Sequence, residues 1–339
     1  MILVTGATGL VGTHLLVRLI QEKQQVRALY RTEAKKEHAK KVFSSYFTSE
    51  EKHLFDTIEW VNTDINNIPV LTQAFEGITH VYHCAAKISF NPSHYKKLRK
   101  ANIHGTANIV NLCLLKKVTK LCYVSSIATL GENLSSSHID EKAEWNPETP
   151  NSVYSITKYG AEMEVWRGIH EGLTAVIVNP GIIIGPGFFD NGSGYLFKRI
   201  YKGMKYYTTG TTGYVAIRDV IDIMYKLTTG SYSNQRYILV GENLSYKSAF
   251  GMIAQALNKP LPKKRISPFL MKIAYYVQHI GYILFRTNRS IFRSSIRSAF
   301  STKYYENDKI KKELIYSFTP IEKSIKETAT VFLKEEEGY

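Results

Sequence analysis

The chain has 339 residues, 44% of them apolar, which is enough to fill a sizeable core and too much for a disordered polymer. Its net charge is +15, but the basic excess is local and matches no nucleic-acid module, so nucleic acid is not an expected partner. Cys84, Cys113 and Cys122 form no CxxC pair, which argues for reduced thiols, a cytoplasmic setting and no metal site.

The first half alternates short β-rich runs with helical patterns. Residues 1–4 read as a strand rather than a secretory signal, and 10–22 as an amphipathic helix. Strands follow at 25–30 and 58–62, separated by a helical stretch over 36–55. A short helix at 69–76 precedes a buried strand at 79–83. Residues 92–117 predict one long helix and 120–125 a strand. A polar loop over 133–151 leads into a helix at 152–171 and a strand at 175–179. Repeated β-α-β units with apolar strands predict an α/β fold, a doubly wound parallel Rossmann sheet. Beyond the Gly185-Pro186-Gly187 break the pattern loosens. Strands are expected at 215–217 and 237–240, and helices at 218–228 and 245–257. The expected organisation is a cofactor domain over 1–180 with returns near 213–240, and a smaller, discontinuous C-terminal lobe over 181–339.

Residues 266–285 hold fourteen apolar side chains, interrupted by Lys272, Gln278 and His279. A spanning helix needs about 20 predominantly apolar residues, so a buried or lipid-touching amphipathic helix is expected instead. Residues 259–312 carry 13 Lys or Arg against Glu306 and Asp308. That excess suits a solvated surface, an anionic or nucleotide-linked small-molecule substrate, or peripheral contact with an anionic membrane.

Between the first strand and first helix stands Thr5-Gly6-Ala7-Thr8-Gly9-Leu10-Val11-Gly12. Gly6 permits a tight turn, Gly9 a close approach of backbone to a pyrophosphate, and Gly12 close packing of helix on strand. The helix start at Thr8, Leu10 and Val11 offers N–H groups and a positive dipole end to phosphate. An acid at the end of strand two would bind the ribose 2′-hydroxyl of NAD; this chain has Tyr30-Arg31 there. Arg31 could pair with a 2′-phosphate, so NADP(H) is favoured and NAD(H) is the alternative. Asp64, with Ile65 beside it, is a candidate for the adenine side, and equally a solvated loop acid.

Tyr154 and Lys158 stand four apart, hence on one helix face. A tyrosine hydroxyl can give or take the proton of a carbonyl/alcohol pair, and a nearby ammonium would lower its pKa; Tyr154 and Lys158 are also expected among the cofactor-binding residues, with Lys158 holding the nicotinamide ribose. The third partner should come from the preceding strand end, where Ser126 is the choice and Ser125 and Thr129 are rivals. His83 reads as a structural residue ending a buried strand, and Lys87 as a contact for phosphate or for solvent.

The glycine turn, His83-Cys84-Ala85-Ala86, Asn102-Ile103-His104-Gly105-Thr106, Ser125-Ser126, Tyr154…Lys158, Asn179-Pro180-Gly181…Gly185-Pro186 and Arg218-Asp219-Val220 together resemble the extended short-chain dehydrogenase/reductases. That superfamily includes nucleotide-sugar epimerases, dihydroflavonol reductases and 3β-hydroxysteroid dehydrogenases. The resemblance implies that Ala85 and Ala86 line the cofactor channel with Lys87 beside them. It also implies that Pro180, Ile182 and Ile183 face the nicotinamide, that Asn102 braces the framework behind the site, and that the chain forms a homodimer through the helices at 92–117 and 152–171. Ile127 and Ala128 stand where the sugar dehydratases of the superfamily carry an Asp-Glu pair, which disfavours water elimination. Three readings follow: an NAD(P)-dependent oxidoreductase, a nucleotide-sugar epimerase that retains NAD, and a non-catalytic cofactor-binding regulator or membrane-associated scaffold.

Overall fold

A computed structural model describes residues 1–131, 138–285 and 291–338. The chain begins with β1 (Ile2–Thr5), α1 (Leu10–Gln21), β2 (Val26–Tyr30), α2 (Glu33–Ser44), β3 (Glu59–Asn62), α3 (Ile68–Ala74) and β4 (His80–His83). After α4 (Tyr95–Leu98) and α5 (Gly105–Leu115) come β5 (Lys120–Val124), β6 (His138–Ile139), α6 (Val153–His170) and β7 (Ala175–Pro180). The second half holds β8 (Ile182–Ile184), α7 (Gly194–Tyr201), β9 (Tyr206–Tyr207), β10 (Thr211–Ala216), α8 (Ile217–Thr229), β11 (Gln235–Leu239) and β12 (Glu242–Ser245). It ends with α9 (Tyr246–Ala256), β13 (Lys264–Arg265), α10 (Pro268–Phe285), α11 (Arg293–Phe300), β14 (Tyr304–Tyr305), α12 (Asp308–Leu314) and α13 (Ile321–Glu336).

Seven strands form one parallel sheet in the order β11-β7-β5-β4-β1-β2-β3. Alternation along each strand feeds two cores. In β5, Cys122 and Val124 join the layer of α1 and α8, while Leu121 and Tyr123 join the layer of α3, α5 and α6. Both faces are therefore covered, as a parallel sheet requires. The chain reverses direction across the sheet at β1 and β4, and the crevice at their carboxyl ends is where such folds bind ligands.

A second sheet, β12-β10-β8, forms the lobe, and α13 closes its core with Ile321, Ile325 and Phe332. Of the return near 213–240, β11 rejoins the main sheet and α8 packs on it, whereas β10 belongs to the lobe.

The helix expected over 36–55 is interrupted. Thr48 and Glu51 hydrogen-bond each other through the Thr48 amide and hydroxyl (3.1 and 2.9 Å). Both bonds are donated by Thr48 to the Glu51 carboxylate, and a separate 3-10 turn, Lys52–Thr57, follows. The helix expected over 92–117 is also not uniform: a π-helical segment, Arg99–His104, separates α4 from α5. In the loop expected over 133–151, residues 133–137 lie outside the described residues and His138–Ile139 pairs with β14. No described helix is long and apolar enough to cross a membrane. Contrary to one expectation for 266–285, α10 is not buried: nine of its described apolar side chains are exposed.

Candidate active site

The glycine turn ends β1. Gly6 adopts a φ of +66°, and a Cβ there would sit 2.6 Å from the Ala85 amide nitrogen. A Cβ on Gly12 would lie 2.2 Å from the Gly6 carbonyl oxygen. Both positions are closed to any side chain. Gly9 differs: a Cβ there would meet only the Gly6 oxygen, at 3.5 Å, so its backbone borders open space. Gly9 is the N-cap of α1 and no side chain caps that end. Gly6, Thr8, Gly9, Leu10 and Val11 are all half-buried. A bare, uncapped helix start behind a glycine turn fits a dinucleotide pyrophosphate.

Around it stand the other expected cofactor residues. Thr5 Oγ1 accepts a hydrogen bond from the Ala85 amide at 3.3 Å, tying the turn to the loop after β4. Ala85 is half-buried, and Ala86 and Lys87 are exposed. Asn102, only 1% exposed, points inward from the π segment. Its Oδ1 accepts from the Lys87 amide (2.7 Å), and its Nδ2 donates to the Lys87 carbonyl (3.0 Å) and to Thr157 Oγ1 (3.1 Å). Asn102 thus pins the loop after β4 to α6. Ile65 packs where Gly105 leaves room and accepts Asn108 Nδ2 at its carbonyl (3.0 Å). Pro180 is buried beside Leu239, while Ile182 and Ile183 are half-buried on β8. Arg31 and Asp64 lie together at the ends of the outer strands, 3.6 Å apart and both largely in solvent.

Ser152 caps α6 by accepting the Ser155 amide at 3.0 Å, which fixes the start of the helix. From there Tyr154, Lys158 and Glu162 follow at four-residue steps on one face. Tyr154 is half-buried and lies beside the Ser126 hydroxyl, which favours its anion; burial outweighs this and raises its pKa. Ser126 Oγ also accepts the Ala128 amide at 3.1 Å. The rivals turn elsewhere: Ser125 and Thr129 donate to the Glu162 carboxylate at 2.5 and 2.7 Å.

Lys158 is 1% exposed. Its Nζ donates to the Tyr123 hydroxyl (2.7 Å) and to the Val124 carbonyl (2.8 Å). Burial lowers its pKa to about 7, opposed by the Glu162 carboxylate. This corrects the expectation that Lys158 pulls the Tyr154 pKa down: its donors are engaged by β5, and Tyr154 shifts upward. His83 bridges Thr5 Oγ1 (2.6 Å) and Thr106 Oγ1 (2.9 Å), and burial drops its pKa to about 3.

Glu162, Arg236 and Tyr123 escaped the sequence reading. Glu162 is fully buried and pairs with Arg236 at 3.2 Å, while Asn179 Nδ2 donates to it at 3.0 Å. Its four-residue spacing from Lys158 was visible; its partner on β11, 74 residues away, was not. At the mouth, the Phe90 ring meets Tyr154 at 5.7 Å, and Ile88 and Phe90 are exposed.

Comparison with known proteins agrees with this geometry. Residues 2–240 match the model of the NAD dependent epimerase/dehydratase family. The chain is 26% identical over 317 residues to a putative dihydroflavonol 4-reductase from Synechocystis sp., covering 92% of this chain and 88% of that protein. It is 25% identical over 274 residues to sterol demethylase protein B from Methylococcus capsulatus, covering 80% and 78% of the two. The crystal structure of gox2253 superposes with a TM-score of 0.80 at 26% identity, covering 100% of this chain and 98% of that one. A UDP-glucose 4-epimerase from Thermotoga maritima, solved with UDP-glucose, shares the fold at a TM-score of 0.76 and 18% identity, with 99% of each chain covered. A glycine turn under an uncapped helix, a parallel sheet reversing direction above it and a family match over 2–240 lead to one conclusion: the chain belongs to the NAD-dependent epimerase/dehydratase family and is an enzyme of the extended short-chain dehydrogenase/reductase type.

Proposed function

We propose that the protein is an NADP(H)-preferring oxidoreductase that interconverts a carbonyl and an alcohol on an apolar, ring-bearing substrate. The observation that carries this reading is the aromatic contact at the reacting hydroxyl: Phe90 lies 5.7 Å from the Tyr154 ring, with Ile88 exposed next to it. A sugar ring needs polar partners at that place, and this mouth offers apolar surface.

A nicotinamide bound here would supply or take the hydride at the substrate carbon. Tyr154 holds the proton at its hydroxyl and passes it to the carbonyl oxygen in reduction, taking it back in oxidation. Ser126 hydrogen-bonds the same oxygen and orients it. Lys158 positions the site from beneath: its Nζ donates to the Tyr123 hydroxyl and the Val124 carbonyl and so fixes the strand end that carries Ser126. Gly9, Leu10 and Val11 would hold the pyrophosphate by backbone, with Gly12 keeping the helix close to the turn, and Pro180, Ile182 and Ile183 would form the wall behind the nicotinamide. Arg31 would meet the 2′-phosphate on leaving Asp64, a long and solvent-screened pairing that costs little to break.

The test begins with nucleotide released from denatured, freshly purified protein. A site that binds added NADPH more tightly than NADH, and turns over a ketone with a change in absorbance, supports the reading. Retained, non-exchanging NAD would overturn it in favour of the nucleotide-sugar epimerase. Tyr154→Phe should lower kcat by about 10²–10⁴-fold and leave nucleotide affinity unchanged; wild-type turnover in this variant would remove the proton role. Arg31→Ala should weaken NADPH binding and spare NADH, as read by fluorescence titration.

A further inference from the structure

The lobe carries an amphipathic helix turned the wrong way round. In α10 the side that meets the body holds Met271, Tyr275 and Gln278: the Gln278 side-chain oxygen accepts the Ile291 amide at 2.9 Å, and Arg293 lies over the Tyr275 ring at 5.8 Å. The opposite side is apolar and in solvent. Phe269 is 70% exposed, Ile273 44%, Tyr276 55%, Val277 64%, Ile280 55% and Ile283 59%. Steps of three and four residues place them along one stripe. A soluble surface rarely exposes so many large apolar groups in one row.

The charge around the stripe selects its occupant. From residue 243 to 305 the sequence holds no Asp or Glu and 11 Lys or Arg. Lys263, Lys264 and Arg265 precede α10, Lys272 lies in it, and Arg293 and Arg297 follow in α11. A second copy of this chain docking by the same face would bring two carboxylate-free, cationic surfaces together. An anionic surface would be attracted instead. With 18 residues α10 is about 27 Å long, and it carries Lys272, so it lies along an interface rather than through it.

We propose that α10, with its basic flanks, is a docking surface for an anionic lipid bilayer, entering the headgroup region in the membrane plane. The apolar stripe reaches the acyl boundary while the flanking cations meet lipid phosphates. This does not depend on which substrate the active site takes.

The full-length protein is tested by co-sedimentation with vesicles of phosphatidylcholine alone, and with a two-to-one mixture of phosphatidylcholine and phosphatidylglycerol. Binding is expected to the mixed vesicles only, and to weaken as salt is raised. Two variants separate the contributions. Lys263→Gln/Lys264→Gln/Arg265→Gln should weaken partition by roughly 100-fold, from about fivefold per cation. Phe269→Ser/Val277→Ser/Ile280→Ser keeps every charge and should also weaken it, by at least about tenfold. Nucleotide binding by both variants, measured by fluorescence titration, reports an intact fold. Mixed-vesicle binding unchanged in the serine variant would overturn the proposal, since charge alone would then explain the attraction. So would failure of the wild-type protein to bind mixed vesicles. So would a sedimenting dimer that the serine substitutions dissociate, which would make a second copy the occupant.

Discussion

Lys158 is placed where its charge is finely balanced. Burial removes water from the ammonium and brings its pKa to about 7, and the Glu162 carboxylate opposes that fall. If the protonated form is the active one, the rate is sustained below about pH 7 and declines above it. Glu162→Gln removes the opposing charge, so Lys158 loses its proton at lower pH. The descending limb of the kcat/KM profile should move acidward, and an unmoved limb would separate Glu162 from the proton chemistry. Solvent-exposed carboxylates such as Asp190 or Glu322 should leave the limb in place.

His83 makes an opposite use of burial. Its ring stays neutral between two threonines with a pKa of about 3, and His14 behaves alike with a pKa near 4. In the unfolded chain both take up a proton near pH 6.5. The unfolded state therefore binds more protons over that interval, and stability falls as pH drops below about 6.5 toward the folded-state values. Denaturant melts at pH 7, 6 and 5 should show the midpoint falling, with a shallower fall in His83→Gln. A midpoint independent of pH over that range would contradict the buried neutral assignment.

Among the elements, the π segment at Arg99–His104 has the largest effect on the site. One extra residue in the turn rotates Asn102 inward, where it takes three hydrogen bonds and joins the loop after β4 to α6. Asn102→Ala leaves the Lys87 amide and carbonyl without this partner and should destabilise the fold by about 1–3 kcal/mol. It should also raise the KM for nucleotide more than it lowers kcat, because the loop that it frees borders the glycine turn. Equal stability by thermal melting would show that solvent replaces Asn102.

The same segment shows what a sequence can and cannot reveal. Apolar spacing over 92–117 announces a helix but does not register a single inserted residue. The TGATGLVG turn was legible because its chemistry is local: Gly6 takes a positive φ, and Gly12 is closed to a side chain by the Gly6 carbonyl six positions before it. Tyr154 and Lys158 were legible because four residues are one helical turn. Arg236 was not, because only the placement of β11 beside β7 brings it to Glu162. For α10 the composition was plain, but the face it turns to the body depends on Gln278 and Tyr275 finding partners around 291–293.

At the scale of the whole molecule, the two sheets divide the labour. The parallel sheet and the helix α6 packed on it carry the glycine turn, Ser126, Tyr154 and Lys158, and the β12-β10-β8 sheet carries the lobe that would select a substrate. The homodimer that the family resemblance implies would form through α4, α5 and α6 rather than α10, so sedimentation of the Phe269→Ser/Val277→Ser/Ile280→Ser variant should show the same assembly as wild type.

The lobe is finished late. Ile321, Ile325 and Phe332 of α13 fill its core, and Ser324 Oγ reaches the Ile184 carbonyl at 3.1 Å, linking positions 140 residues apart. A ribosome making this chain therefore synthesises every strand of the parallel sheet by residue 239, well before α13 at Ile321–Glu336. During that interval the nascent chain has the means to hold a dinucleotide before it has a closed lobe, and the order of synthesis makes cofactor an early companion of folding and substrate a late one.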